Sequence, residues 1–344
     1  MWLNNLWFGL IAILWIGYFV LEGFDFGVGA LLGLVGRDEK GRRVLINTIG
    51  PVWDGNEVWL LTAGGATFAA FPDWYASMFS GFYLALVVVL VCLIVRGVAF
   101  EYRGKGHSDA WRARWDWAML ITSWVLPLLW GVAFGNVVRG VPLDAAHEYV
   151  GTFLGLLNPF ALAMGLCTLS LFITHGAVYL TLKTTADVRA RARAVALRIG
   201  PVAIVLMALA VGWQQIIRGT ALSMAVGVLA VAALVVGYLL TRADRDGRAF
   251  LATAVSTALL VVGWFASLYP NVLPSTIDPA FSLTVDNAAS SAYTLTVMSW
   301  VALAFVPLIL AYQAWSYWVF RKRISVHQIP ESPTRVPVPS DVSG

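Results

Sequence analysis

The sequence predicts an all-α polytopic membrane protein, and three observations carry the prediction. The chain of 344 residues is 59% hydrophobic and only 12% charged, whereas soluble proteins carry about 25% charged residues. Its apolar runs are long and continuous, unlike the alternating segments of about ten residues that build a membrane β-barrel. Sixteen Trp and eleven Tyr suit the aromatic belts at the two membrane interfaces.

The apolar runs divide the chain into spans of about 20 residues, the length that a helix needs to cross a bilayer. Nine are predicted, at 6–35, 51–71, 76–100, 117–138, 152–182, 199–217, 221–241, 250–269 and 293–319. Together they form one transmembrane domain over residues 1–323. Residues 324–344 are rich in Pro and Ser and are expected to form a disordered cytoplasmic tail. The longest outer loop, 270–291, is expected to cap the outer surface.

Lys and Arg fix the expected orientation, since cytoplasmic loops are enriched in both. Twenty-one of the 23 basic residues fall in alternate loops and the tail, and only Arg139 and Arg218 fall on the opposite side. The basic loops are 36–50, 96–116, 183–198 and 242–248, with Arg96 at the edge of the second. The N-terminus is therefore expected outside the cell and the C-terminus in the cytoplasm. This placement explains the basic charge without a nucleic-acid partner.

Four acidic residues lie inside the first two spans: Glu22, Asp25, Asp54 and Glu57. Each pair is spaced i, i+3, which places its two members on one helix face. The short connection between the two spans brings both pairs to the cytoplasmic end, where we expect them to form one acidic funnel. In the second span, Gly64 and Gly65 are expected to let another helix pack closely.

Carboxylates in hydrocarbon are costly and usually face a protein interior or a wet cavity. The cluster of four therefore indicates a proton path or a cation site. The structural alternative is that these acids hold the spans together through hydrogen bonds to Asn56, Trp indoles or Arg96. Both readings remain open on the residues alone.

Metal and haem ligands are scarce within the spans. His175 is the one histidine inside a span, and one histidine cannot form a bis-His haem site. We expect it to be a hydrogen-bonded interior residue, structural or near the proton entry. Cys92 and Cys167 are expected to be packing residues. The chain is therefore expected to handle protons or cations, with no catalytic, cofactor-binding or metal-binding residues of its own.

Several sequence blocks resemble subunit II of the cytochrome bd quinol oxidases, over almost the whole chain. They include LEGFDFGVGAL at 21–31, GPVWDGNEVWLLTAGGATFAAFP at 50–72, RGVAFEYR at 96–103, GVAFGNVVRGVP at 131–142 and THGAVYLTLKT at 174–184. The resemblance implies nine helices, arranged as two four-helix bundles plus one further helix. It implies an obligate partner, subunit I, in a complex that oxidises quinol, reduces O2 to water and builds a proton gradient. A small single-span accessory subunit is common in such oxidases.

The resemblance also implies cofactors and residue roles. Two haems b and one haem d belong to subunit I, the substrate is menaquinol or ubiquinol, and membrane lipids and quinone surround the subunits. Asp25 and Asp54 match the family's proton-path carboxylates, and Trp59 stands where some relatives line an O2 route. Glu57 departs from the Gln expected there, and it either adds an acid to the path or is a local variation; Glu22 is the fourth acid of the predicted path.

Two other functions compete with this prediction. A proton-coupled secondary transporter would also use intramembrane acids, but no pair of interrupted half-helices marks a substrate site. A purely structural subunit would use the acids only as hydrogen-bonding groups. Copurification with a haem-bearing partner separates the oxidase from the transporter, and Asp→Asn substitutions separate a path from a structural role.

Overall fold

The computed structural model describes residues 2–106 and 108–330, and they form a helical bundle. The long helices are α1 (Trp2–Ala30), α4 (Trp53–Ala70), α6 (Tyr83–Tyr102), α7 (Asp109–Arg139), α8 (Pro159–Lys183), α9 (Ala186–Arg218), α10 (Ala221–Arg242), α11 (Asp246–Leu268) and α12 (Ala292–Val319). Shorter helices are α2 (Leu32–Val35), α3 (Glu39–Ile49) and α5 (Pro72–Gly81). The all-α prediction is confirmed.

Eight helices within the described residues are long and apolar enough to cross a membrane, namely α1 and α6 to α12. The remaining predicted span is α4, which is a helix of 18 residues. Three of its first five residues are Asp54, Asn56 and Glu57, and these lower its hydropathy. The total of nine spans and their orientation therefore stay predictions.

Several predicted boundaries differ from the helices observed, and the reasons differ from one to the next. The basic loop 183–198 is mostly the first turns of α9, which begins at Ala186. The basic loop 36–50 contains α3, whose N-terminus is capped by the Asp38 side chain. The fifth span begins later than predicted, because a 3-10 helix, Phe153–Leu157, precedes α8 and Asn158 caps that helix. The third span is divided between α5 and α6.

The core lies where α1 packs against α4, α7, α8 and α11. Trp15 and Trp130 meet edge to face at 5.3 Å, and Phe134 stacks on Trp264 at 5.1 Å. The Trp130 indole N–H donates to the Tyr18 hydroxyl at 3.1 Å. In contrast, Leu295 is the one buried residue of α12 among those described. That helix exposes apolar side chains around most of its surface.

Opposite ends of the bundle differ in character. The hairpin end carries strands β1 (Asn271–Leu273) and β2 (Leu283–Thr284), which pair antiparallel within the predicted outer loop. The Ser275 hydroxyl donates to the Leu143 carbonyl, so this loop packs on the α7–α8 connection. The basic end carries α3, the start of α9 and residues 320–330. At this end Arg103 bridges α3 and α7 through Glu39, at 2.7 Å, and Asp116, at 2.5 Å.

Residues 324–330 are folded against the basic end, so the predicted disordered tail does not begin at 324. The backbone N–H of Ile324 donates to the Lys183 carbonyl at 2.8 Å, and Ile329 is buried. Arg43 donates to the Pro330 carbonyl at 2.9 Å. Hydrophobic burial of Ile329 and these backbone hydrogen bonds fix a segment whose composition alone indicates disorder. Residues 331–344 lie outside the described residues.

Asp246 at the start of α11 anchors the same end. It accepts hydrogen bonds from Arg189 of α9 and from Arg323, the latter at 2.8 Å. Arg189 also donates to Asp244, and this hydrogen bond holds the pKa of the exposed Asp244 carboxyl below its ordinary value. The basic end is therefore held by paired charges as well as by its backbone.

The α1–α8 crossing gives a first testable prediction. A Cβ on Gly176 would lie 2.5 Å from the Gly27 carbonyl carbon, so the two backbones touch. Gly27→Ala and Gly176→Ala are each expected to cost about 1–3 kcal/mol by overpacking. The measurement is the melting midpoint of the purified protein in detergent. Gly212→Ala is the matched control, because a Cβ there meets nothing within 4 Å. Equal midpoints for all three variants would contradict the tight crossing.

Candidate functional site

The last third of α1 positions the first acidic pair. Glu22 and Asp25 are one turn apart, and both side chains are fully buried. The turn of α1 that carries them contacts α4, α6 and α8. The predicted shared face of this pair is therefore present, and it points into the protein rather than toward the surface.

Arg96 of α6 pairs with Glu22, and neither side chain has any exposed surface. Its guanidinium also lies over the rings of Phe26, at 4.8 Å, and Phe100, at 5.1 Å. The sequence analysis counted Arg96 in the basic loop 96–116, although its third span already reached residue 100; α6 continues to Tyr102, and Arg96 is buried within it. It interacts electrostatically with Asp25 and Glu57 as well. The buried Arg96 guanidinium is thus the shared counter-charge of the Glu22, Asp25 and Glu57 carboxylates.

Part of this cluster has no hydrogen-bond partner in the described protein. The atoms are Glu22 Oε2, Asp25 Oδ1 and two guanidinium nitrogens of Arg96, Nε and Nη2. Buried polar atoms are nearly always partnered, and exceptions often mark function or bound water. The cluster therefore offers two carboxylate oxygens that can take up a proton and two guanidinium N–H groups that can donate hydrogen bonds.

Asp25 is linked to α4 and α12 by a second set of contacts. The Asn56 amide donates to Asp25 Oδ2 at 2.6 Å. In turn Asn56 Oδ1 accepts from the Tyr317 hydroxyl, at 2.8 Å, and from Gln313 Nε2, at 3.2 Å. The sequence analysis considered Asn56 only as a structural partner and missed both α12 residues. Polar side chains spaced i, i+4 in an apolar span were the signal that could have found them.

The second acidic pair lies elsewhere on α4. Asp54 is exposed, and Glu57 is partly buried with its Oε2 atom unpartnered. Since each helical residue turns the direction by about 100°, Asp54 lies about 200° around the helix from Asn56, which faces Asp25. The expectation that all four acids form one funnel was therefore wrong for Asp54. Glu57, in contrast to Asp54, still interacts electrostatically with Arg96.

Asp54 and Glu57 line a groove of about 760 Å³ between α4, α5 and α6. Its other walls are mainly apolar, and Trp15 and Trp130 contribute to its lining. Gly64 and Gly65 also line it, and a Cβ on either would meet nothing within 4 Å. The expected close helix contact at these glycines is therefore absent from the described part of the chain. The groove leads along α4 to the two acids.

His175 of α8 is fully buried and hydrogen-bonded at both ring nitrogens. Nε2 contacts the Val20 carbonyl at 3.1 Å, and Nδ1 contacts the Thr253 hydroxyl at 2.7 Å. Because a carbonyl only accepts, Nε2 carries a proton, and Thr253 can donate to Nδ1. The ring also stacks on Phe250 at 4.8 Å. These contacts do not fit a haem or metal ligand, and they favour the structural alternative for His175.

Trp59 of α4 lies at the α1–α4–α12 junction. Its ring packs against Gly17 of α1, and its indole N–H donates to Gln313 Oε1 at 2.8 Å. The role of Trp59 on an O2 route stays a prediction. Across residues 2–106 and 108–330, no three His, Cys, Asp or Glu side chains are grouped to hold a metal ion.

Comparison with known proteins shows the family to which the chain is similar. Residues 3–320 match the family described as cytochrome bd terminal oxidase subunit II. Cytochrome bd ubiquinol oxidase subunit 2 of Bacillus subtilis is 44% identical over 336 residues, covering 95% of this chain and 98% of that protein. Cytochrome bd-I ubiquinol oxidase subunit 2 of Escherichia coli K12 is 39% identical over 365 residues, covering 95% and 96%.

The fold is also that of a solved oxidase chain. A chain of the bd oxidase from Geobacillus thermodenitrificans superimposes with a TM-score of 0.75 at 18% identity, covering 93% of this chain and 99% of that one. At this identity the likeness concerns the fold alone. Taken with the match over residues 3–320, it leads to one conclusion: the chain belongs to the cytochrome bd terminal oxidase subunit II family.

Proposed function

We propose that this chain is subunit II of a membrane complex that oxidises a quinol, reduces O2 to water and generates a proton gradient. The relatives are named as ubiquinol oxidase subunits over nearly their full length. The chain is a multi-pass protein of the bacterial cell membrane and acts as part of an oxidoreductase that holds haem. The competing transporter function is not favoured by these relatives.

The haems, two of type b and one of type d, are held by subunit I. In support, the one histidine inside the predicted spans has both ring nitrogens occupied by Val20 and Thr253. Subunit I covers part of the apolar surface that this chain exposes. The present chain supplies no haem ligand and supports the haem-bearing subunit from its side.

The basic end faces the cytoplasm, and the N-terminus lies outside. With Arg96 moved into the membrane, twenty basic residues are assigned to the cytoplasmic side and two, Arg139 and Arg218, to the other. Arg96 lies six residues before the end of α6, a distance of about 9 Å along the helix. The buried cluster is therefore near the cytoplasmic surface, and protons reach it from that side.

The chain also supplies a path for the protons that O2 reduction consumes. The observation that carries this proposal is the buried set Glu22, Asp25 and Arg96, whose unpartnered oxygens and nitrogens lie inside the bundle. Arg96 supplies one positive charge that offsets part of the negative charge of the carboxylates at this depth. Asp54 and Glu57 on the groove wall receive protons, and Asp25 and Glu22 pass them inward.

The experiment is purification of the tagged chain from its native membrane in mild detergent, followed by a gel and a reduced-minus-oxidised visible spectrum. We expect a larger membrane subunit and a haem d band in the far red. A colourless chain that is stable without a partner would contradict the oxidase proposal and favour the transporter. A bound single-span protein on the same gel would identify an accessory subunit.

A further inference from the structure

A row of hydrogen bonds connects α12 to Asp25. Trp59 Nε1 donates to Gln313 Oε1 at 2.8 Å, and Gln313 Nε2 donates to Asn56 Oδ1 at 3.2 Å. Asn56 Nδ2 then donates to Asp25 Oδ2 at 2.6 Å. These hydrogen bonds join α12, whose surface is otherwise mostly exposed, to buried residues of α4 and α1.

The direction of every bond in this row is fixed by its first member. An indole N–H only donates, so the Gln313 atom facing Trp59 is the oxygen, and its amide nitrogen faces Asn56. The Asn56 atom that receives this nitrogen must be Oδ1, which leaves Nδ2 to face Asp25. A flipped Asn56 amide would present N–H groups to Gln313 Nε2 and an oxygen to a carboxylate.

Tyr317 reinforces the same orientation. Its hydroxyl donates to Asn56 Oδ1 at 2.8 Å, and its ring contacts Phe24 of α1 at 6.5 Å between centroids. Tyr317 and Gln313 are one turn apart, so one face of α12 presents both donors. A flipped amide is unfavourable, because the Gln313 N–H would then face an Asn56 N–H and the Tyr317 hydroxyl would lose its acceptor.

We propose that Gln313 and Tyr317 are positioning residues that lock the Asn56 amide against Asp25 Oδ2, so that Asp25 gains and loses its proton at Oδ1. Oδ2 receives the Asn56 N–H, whereas Oδ1 is buried and receives no N–H of the described protein, and the Glu22 carboxyl lies within hydrogen-bonding reach of the Asp25 carboxyl. The carboxyl therefore exchanges protons on one defined side. This inference rests on the proposed proton path and assigns to α12 a part in it.

The test uses the purified oxidase complex with Tyr317→Phe or Gln313→Met. Each substitution keeps the side-chain shape and removes one donor to Asn56. We expect full haem content and a turnover about fivefold lower, as loss of one buried hydrogen bond implies. The acid limb of the pH profile moves to higher pH, because a carboxylate with a weaker donor favours its protonated form. Tyr312→Phe is the matched control, since that ring is 68% exposed on the same helix.

A double-mutant cycle separates positioning from a merely structural effect. In an Asp25→Asn background, Tyr317→Phe and Gln313→Met should slow turnover no further, because they act through the Asp25 carboxyl. Effects that multiply in full with that of Asp25→Asn would overturn the inference, as would pH profiles and turnover equal to those of Tyr312→Phe. If Asp25→Asn itself turns over normally, the proton-path proposal fails first, and this result is distinct from failure of the α12 inference alone.

Discussion

Arg96→Leu is expected to prevent accumulation of the oxidase. The substitution leaves Glu22 buried without a cation, and breaking a buried ion pair in this way costs about 3–5 kcal/mol. Asp25 and Glu57 lose the same counter-charge. We expect little or no haem-bearing complex in membranes from cells that express the variant, measured from the reduced-minus-oxidised spectrum per milligram of membrane protein.

Two further variants show whether the charge pair is the cause. Arg139→Leu removes an exposed arginine at the end of α7 and should leave the haem content unchanged. The double variant Glu22→Gln with Arg96→Gln removes both charges and keeps hydrogen-bonding groups, so it should recover a substantial part of the assembly that Arg96→Leu loses. Normal haem content in Arg96→Leu would contradict a buried ion pair at this site.

Asp25→Asn is expected to preserve assembly and slow turnover, because the amide keeps the shape of the side chain and cannot ionise. Quinol-driven O2 uptake should fall by about a hundredfold, the lower end of what positioned proton-transferring groups contribute. Haem content should equal that of the unsubstituted complex. Asp54→Asn is expected to have a smaller effect, because Asp54 is exposed and lies on the side of α4 away from Asn56 and Asp25.

Glu57→Gln provides the comparison within the groove. It places at Glu57 the residue that the family resemblance implied, so it should be close to neutral if Glu57 is a local variation. A large loss would instead assign Glu57 to the path between Asp54 and the buried cluster. Normal turnover in Asp25→Asn, Asp54→Asn and the double variant would contradict a carboxylate path through this chain.

The sequence predicted the helical class and most spans because long apolar runs leave few alternatives in a bilayer. It could not predict where helices extend into the basic end. The first turns of α9 are polar and charged, so hydropathy assigns them to a loop, whereas the structure makes them helical and pairs Arg189 with Asp246. The folded segment 324–330 was missed for a similar reason, since its order depends on distant partners such as Lys183.

The sequence predicted which acidic residues form the candidate site better than it predicted how they are arranged relative to one another. Acids at i, i+3 in an apolar span identified Glu22 and Asp25, and hydrophobicity alone required them to face the interior. Spacing could not tell which face of α4 meets α1, and Asn56 occupies that face in place of Asp54. Arg96 was misplaced because a basic residue near a span end resembles a loop residue, and Tyr317 was missed because its partner is 261 residues away.

The most direct test of the proton path is proton uptake during a single turnover. The fully reduced Asp25→Asn complex, with its full haem content, would be mixed with O2 in the presence of a pH-indicating dye, beside the unsubstituted complex. We expect the haems to bind O2 at the normal rate and proton uptake to be slowed by about a hundredfold. Proton uptake at the unsubstituted rate would show that protons reach the oxygen chemistry without Asp25, and would contradict the role proposed for the buried cluster.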